Sequence, residues 1–145
     1  TPRALPAEGV TAAQIRRTYY RAWVFLLADS LPPMPENNFL YPQIACGKPS
    51  LWSEGAPGAR PSAQWESFLA MQAVAPVEPK VAWEAYEGQM SLLGPDGSLN
   101  GEGLPSCHVQ TAWQLYQATG DIARLRRLYP KIKQFLLWKI AKKEM

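Results

Sequence analysis

The stretch that decides the fold prediction is residues 64–93, which read QWESFLAMQAVAPVEPKVAWEAYEGQMSLL. Its first part, Gln64–Ala75, is apolar on nearly every side when drawn as a helix, and this predicts a helix that is buried on most sides. Pro76 and Pro79 then make a corner. The second part, Pro79–Leu93, places its apolar residues on one face at helical spacing, which predicts an amphipathic surface helix. Together the two parts predict a helical hairpin.

The same order recurs after a turn at Gly94-Pro-Asp-Gly97. Residues Ser106–Thr119 include no charged side chain, and this predicts a second buried helix. Gly120 suits the end of that helix and Asp121 suits a new cap. Pro130 fits the first turn of a last, amphipathic helix that ends near Lys142. A buried helix followed by an amphipathic one, used twice, predicts a structural repeat of about 40 residues.

Upstream of the repeat, Thr11-Ala-Ala-Gln14 has the pattern of a capping box and predicts the start of a leading helix. Pro32-Pro33 ends it. Residues 32–63 are rich in proline and glycine and show no period, so they predict a long loop on the active-site side, since such loops are usually functional. No strand signal is present. The fold class is therefore predicted to be all-α, with residues 1–145 forming a single unit of helical hairpins.

Composition excludes several classes of protein. With 145 residues and a hydrophobic fraction of 47%, the chain can bury a core, which excludes disorder. A net charge of +3 is too small for a nucleic-acid binder, and no run approaches the ~20 apolar residues of a membrane span. One His and two Cys make a metal site improbable, and without a phosphate loop no cofactor is expected. Lacking a secretion signal and a disulfide pattern, the sequence favours the cytoplasm.

Candidate substrate-binding residues lie in the segments that enter the two buried helices. These residues are Trp52, Glu54, Gln64, Trp65 and Glu66 in the first segment, and Asn100 and Glu102 in the second. If the two helices are parallel neighbours, these side chains converge on one rim. Indoles stack on the CH faces of a sugar, while carboxylates and amides bind its hydroxyl groups. The residues alone leave a second interpretation open, in which the tryptophans anchor loops and the glutamates are solvated.

Three short motifs follow one another along the chain. The first is Trp65-Glu66-Ser67-Phe68, and the second is Asp96-Gly97-Ser98-Leu99 with Gly101-Glu102 and Pro105-Ser106 after it. The third is Ala112–Tyr116 with Thr119-Gly120-Asp121 and Leu128-Tyr129-Pro130. In this order they resemble the W-D-S-F element, the DG-[IL]-PGE-PS loop and the W-x-LY-x-x-TGD…L-YP segment of the six-hairpin (α/α)6 glycoside hydrolases. Within that family the similarity is to the trehalase and processing α-glucosidase type, a group that includes glycosylglycerate hydrolase-like bacterial members.

The resemblance implies part of an (α/α)6 toroid and an inverting, exo-acting hydrolase for terminal α-linked glucose or mannose of a small glycoside or oligosaccharide. It implies that Trp65 and Glu66 contact the substrate, although Glu66 stands where the family commonly has Asp; Glu54 could replace it. The catalytic acid and base would map beyond Met145, so no catalytic residue is assigned. His108 is interpreted as a polar contact rather than a general base. The alternative function is a non-catalytic helical carbohydrate-binding or scaffolding module; sugar epimerisation is disfavoured because there is one His.

The expected partners are a carbohydrate substrate and a polypeptide that covers the two buried helices, and neither nucleic acid nor membrane is expected. The Gln64–Ala75 and Ser106–Thr119 helices are apolar on more faces than one outer helix each can cover. A six-hairpin ring would need four further hairpins, by extension of the repeat. The remaining barrel segment, or a second copy, is therefore expected to complete the unit, and the isolated chain is expected to expose apolar surface.

Overall fold

The structure, a computed structural model, describes residues 9–37, 40–44, 64–99 and 107–143. Within these ranges the chain forms helices α1 (Ala12–Ala28), α2 (Gln64–Val74), α3 (Pro79–Ser91), α4 (His108–Thr119) and α5 (Ile122–Lys143), strands β1 (Ser30–Leu31) and β2 (Gln43–Ile44), and a 3-10 helix at Pro35–Asn37. The prediction of a mostly helical chain is confirmed, and the helix bounds agree with the predicted ones within a few residues except in α5. The described residues do not show a toroid.

The leading helix α1 starts where the sequence predicts. The backbone N–H of Gln14 donates to Thr11 Oγ1 at 3.2 Å, and the Thr11 N–H donates to Gln14 Oε1 at 2.8 Å, so the capping box is formed. The helix ends at Ala28, before the predicted stop at Pro32. None of its residues is buried, and Leu26 is its one residue that packs partly against the core.

Helix α3 lies at the centre of the packing, in contact with α2, α4, α5 and β2. Its buried residues are Ala82, Trp83, Ala85, Tyr86, Gly88, Gln89 and Met90. Its less buried side carries Lys80, Glu84, Glu87 and Ser91, which are spaced so that they form one stripe along the helix. The amphipathic pattern predicted for this helix is therefore confirmed. Its apolar face is covered more completely than that of any other described helix.

The prediction of one structureless loop over residues 32–63 is wrong for its described part. Strand β2 pairs antiparallel with β1, placing Ser30 opposite Ile44 and Leu31 opposite Gln43, so the prediction of no strand is also wrong. Tyr41 and both residues of β2 are buried, and the Tyr41 ring packs so closely on Gly88 of α3 that a Cβ there would overlap it. Two-residue strands are too short for an alternating pattern to show in the sequence.

A further difference concerns Pro130, which the sequence places in the first turn of a new helix. In the structure α5 runs from Ile122 to Lys143 with Pro130 inside it. A proline inside a helix costs about 3 kcal/mol, because it removes one backbone hydrogen bond and crowds the preceding turn. Tertiary contacts on both sides of it offset that cost, since Leu128 and Ile132 are buried in the core.

Helices α2 and α4 are covered on fewer sides than their apolar sequences predict. On α4 the buried residues are His108, Thr111, Ala112 and Leu115. Several large apolar side chains of the two helices are instead exposed, namely Trp65 and Leu69 on α2, and Val109 and Trp113 on α4. A helix buries only the faces that its neighbours reach, and within the described residues nothing covers these positions.

Candidate functional site

The described part of the predicted rim is the first turn of α2, where three candidate residues follow one another. Gln64 is buried, Trp65 is 42% exposed and Glu66 is half-buried. Successive helical residues point about 100° apart, so the three side chains leave the helix in different directions. The indole of Trp65 and the carboxylate of Glu66 are therefore the two groups that a ligand at this surface can touch. Gln64 is turned towards the interior.

The first halves of α2 and α4 lie side by side. The rings of Phe68 and His108 have centroids 6.3 Å apart, and the Thr111 hydroxyl lies 3.0 Å from the Phe68 carbonyl oxygen. Phe68 is in the second turn of α2, and His108 is the first residue of α4. The N-terminal halves of the two helices are thus neighbours, while the segments that precede them, residues 45–63 and 100–106, lie outside the described residues.

A polar bridge between the two helices was missed by the sequence analysis. Gln72 Nε2 donates to Thr111 Oγ1 at 2.8 Å. The Thr111 hydroxyl has one proton for two carbonyl acceptors, that of Phe68 at 3.0 Å and that of Cys107 at 2.9 Å. The signal in the sequence is Gln72 itself, because an amide in a largely apolar, covered helix needs a partner. This bridge fixes the lateral position of α2 on α4.

His108, interpreted above as a polar contact rather than a general base, lies in the core. Its side chain is 2% exposed, and its ring centroid is 4.5 Å from that of Phe135. Its backbone carbonyl accepts a hydrogen bond from the Tyr86 hydroxyl at 3.1 Å. Burial raises the pKa of the Tyr86 phenol, so that group stays protonated and keeps donating. His108 therefore belongs to the packing beneath the candidate site and is out of reach of a surface ligand.

Trp52, Glu54, Asn100 and Glu102 lie outside the described residues, and their place in the rim stays a prediction. Among the residues that are described, no three His, Cys, Asp or Glu side chains come together as metal ligands do. In the same part of the chain, no helix combines the length and the apolar character needed to cross a membrane.

Comparison with known proteins gives no match, whether with family models, with curated proteins or with solved structures.

Proposed function

We propose that this chain is the substrate-binding part of an inverting, exo-acting glycoside hydrolase with an (α/α)6 barrel. Its substrate would be a small glycoside or oligosaccharide with a terminal α-linked glucose or mannose. The observation that carries the proposal is the exposure of Trp65 at the start of α2. That residue opens the run Trp65–Met71, which resembles the element that begins an inner helix in such enzymes.

The chemistry of this position suits a sugar. An indole offers a flat apolar face on which the CH groups of a pyranose ring stack, and an adjacent carboxylate accepts hydrogen bonds from two neighbouring hydroxyl groups. Trp65 and Glu66 supply these two groups from successive residues of one rigid helix. Inverting hydrolysis further requires an acid and a base about 6.5–9.5 Å apart. We place that pair in barrel residues outside this chain.

The side of α4 that no described residue covers adds support. His108 and Thr119 mark the side that faces α3, because the Tyr86 hydroxyl donates to the His108 carbonyl and Trp83 Nε1 donates to Thr119 Oγ1 at 3.1 Å. Trp113 lies about 140° from His108 and about 120° from Thr119 around the helix, at 100° per residue. Its exposed indole thus points away from α3. An inner barrel helix, which packs on an outer helix at its back and on further helices elsewhere, would have this distribution.

The substitution Trp65→Ala tests the proposal. Loss of a stacked aromatic anchor should weaken binding of α-glucosides or α-mannosides by about 1–3 kcal/mol, which is roughly 5- to 150-fold in Kd. Calorimetric titration measures this, and the helical circular dichroism should be unchanged. Leu69→Ala is the matched control, because Leu69 is also exposed and lies one turn further along the same helix. The Leu69→Ala variant should bind the sugar with the affinity of the unsubstituted chain.

Three results would contradict the proposal. Unfolding of the Trp65→Ala variant would make Trp65 a structural residue, and equal losses in both variants would indicate a general apolar surface. Absence of binding, both for the chain alone and for the chain joined to any natural downstream sequence, would exclude carbohydrate recognition. Binding without cleavage by that longer protein would instead favour the non-catalytic carbohydrate-binding module.

A further inference from the structure

One side of α5 faces away from the core and carries large apolar side chains. Those side chains, each between 39% and 59% exposed, are Ile122, Tyr129, Leu136, Leu137 and Ile140. A different side of the same helix, about 80–140° around the axis from Ile122, buries Leu128, Ile132 and Phe135 in the core. Helix α5 is therefore apolar on two sides, and the described residues cover one of them.

The exposed side has the spacing of a helix–helix seam. Ile122, Arg126, Tyr129, Lys133, Leu136 and Ile140 follow one another at intervals of four, three, four, three and four residues. This alternation is the heptad pattern by which one helix packs along another. At 100° per residue the six positions fall within about 80° of the helix circumference. We call these six residues the outer stripe.

Two positions of the outer stripe are cations that no carboxylate of the described residues neutralises. Arg126 and Lys133 are exposed, and neither has an ion-pair partner among the described residues. Arg124 and Arg127, by contrast, pair with Glu87 of α3. Residues 122–143 contain eight Lys and Arg and no Asp or Glu, so α5 cannot neutralise the stripe itself. A cation that enters a helix–helix seam is costly unless a carboxylate faces it.

These features select the class of partner. Helices that lie on lipid have a broad apolar face and keep their basic residues on the polar face, whereas here the two cations lie within a narrow apolar stripe. A second copy is also a poor match. The other helix with a largely exposed apolar surface, α1, has Arg16, Arg17 and Arg21 as its charged residues, so it would bring further cations. The partner that fits this stripe is an amphipathic helix with carboxylates opposite the two cations.

We propose that the outer stripe docks an acidic amphipathic helix of a partner polypeptide. Apolar side chains of that helix pack on Ile122, Tyr129, Leu136 and Ile140, and its Asp or Glu side chains face Arg126 and Lys133. Charge complementarity sets the register of the pairing, since only one register places a carboxylate opposite both Arg126 and Lys133. The inference does not depend on sugar binding, and its failure would leave the Trp65 experiment unaffected.

Two synthetic 22-residue peptides serve as probes, with Leu opposite the apolar positions of the stripe and Glu opposite its two cations, one peptide for each helix orientation. Calorimetric titration onto the full 145-residue chain should show binding of one of them. The double variant R126E/K133E should weaken that binding at least about tenfold, because it sets like charges against each other in the seam. The same variant should prefer a peptide with Lys in place of Glu. Lys131→Glu is the matched control, since Lys131 is exposed on the same helix but about 180° from Ile122, and its effect should stay within about twofold.

Equal loss in Lys131→Glu and in R126E/K133E would overturn the proposal, because net charge alone would then explain the binding. Failure of both peptides to bind the folded chain would also overturn it. Two further measurements decide between other occupants. Binding to vesicles of anionic phosphatidylglycerol that R126E/K133E abolishes would assign the stripe to a lipid surface. Self-association that excludes both peptides would assign it to a second copy.

Discussion

Helices α3 and α1 are both amphipathic, yet within the described part of the chain their surroundings differ strongly. Seven of the 13 residues of α3 are buried, and its neighbours are α2, α4, α5 and β2. None of the 17 residues of α1 is buried, and Tyr20, Val24, Phe25 and Leu27 are each more than half exposed. An apolar helix face therefore predicts that something packs against it, but it does not predict which segment does.

The same contrast exists within single helices. In α5 one apolar side is packed in the core while the outer stripe is open, and in α2 the buried Phe68 stands next to the exposed Leu69. Apolar groups stabilise a fold only to the extent that they leave water, at about 25 cal/mol per Å². The stability of the described unit should therefore come from the residues around α3, while α1 and the outer sides of α2, α4 and α5 are available for association.

The largest expected effect is a difference in the free energy of unfolding between two phenylalanine substitutions. Phe68→Ala should destabilise the fold by about 3–5 kcal/mol, because a fully buried ring that packs against Tyr86 and His108 is replaced by a cavity. Phe25→Ala in α1 should change the free energy of unfolding by no more than about 0.5 kcal/mol. Urea denaturation measures both. A large loss for Phe25→Ala would mean that the exposed face of α1 is covered in solution, and the comparison between the two helices would fail.

A smaller loss of stability tests whether Tyr41, in the segment before α2, packs on Gly88 of α3. Gly88→Ala should cost about 1–3 kcal/mol, because the new methyl group enters the space of the Tyr41 ring. The double variant Y41A/G88A should be less destabilised than the sum of the two single variants, since the overlap disappears with the ring. Denaturation curves of the four proteins measure the coupling. Additive losses would show that Tyr41 does not pack on α3 in solution.

The smallest expected effect concerns the turn at residues 94–98, which is joined to α5 by a hydrogen bond from Gln134 Nε2 to the Pro95 carbonyl at 2.8 Å. The hydroxyl and backbone N–H of Ser98 donate to Asp96 Oδ1 at 2.6 and 2.9 Å, and these hydrogen bonds lower the pKa of the Asp96 carboxyl. A lowered pKa contributes stability that is present above the ordinary pKa and is lost as the pH falls through the folded value.

Ser98→Ala should therefore raise the Asp96 pKa towards its ordinary value, with the change visible in a carboxyl-carbon NMR titration between about pH 2 and 6. Because Asp96 is exposed, the effect on stability at neutral pH should be slight. An unchanged titration midpoint in the variant would mean that the turn is not closed by this side chain in solution.

Sequence determined the features that depend on neighbours along the chain. Thr11 and Gln14 predict the start of α1, because a capping box needs residues three apart and nothing else. Gly120 predicts the end of α4, where it has φ +69° and its N–H donates to the Tyr116 carbonyl at 2.7 Å. Asp121 caps α5 by accepting from the Arg124 N–H at 2.9 Å. The turn at Gly94–Gly97 is also local, closed by the Gly97 N–H and the Gly94 carbonyl at 2.9 Å.

Tertiary structure decided what depends on partners distant in the chain. Pro130 reads as a helix start, and α5 continues through it because Leu128 and Ile132 are held in the core. Ile44 gives no strand pattern, and it becomes a strand residue because Ser30 lies opposite it and α3 lies beneath. For the candidate site, Trp65 is predictable from the sequence because of the chemistry of its indole. The exposure of Trp65 depends instead on which sides of α2 the other helices cover. The beginnings and ends of helices can be predicted from the sequence, since caps and turns involve a few successive residues. The burial of a side chain cannot, because it depends on which distant segments of the chain pack against that side of the helix.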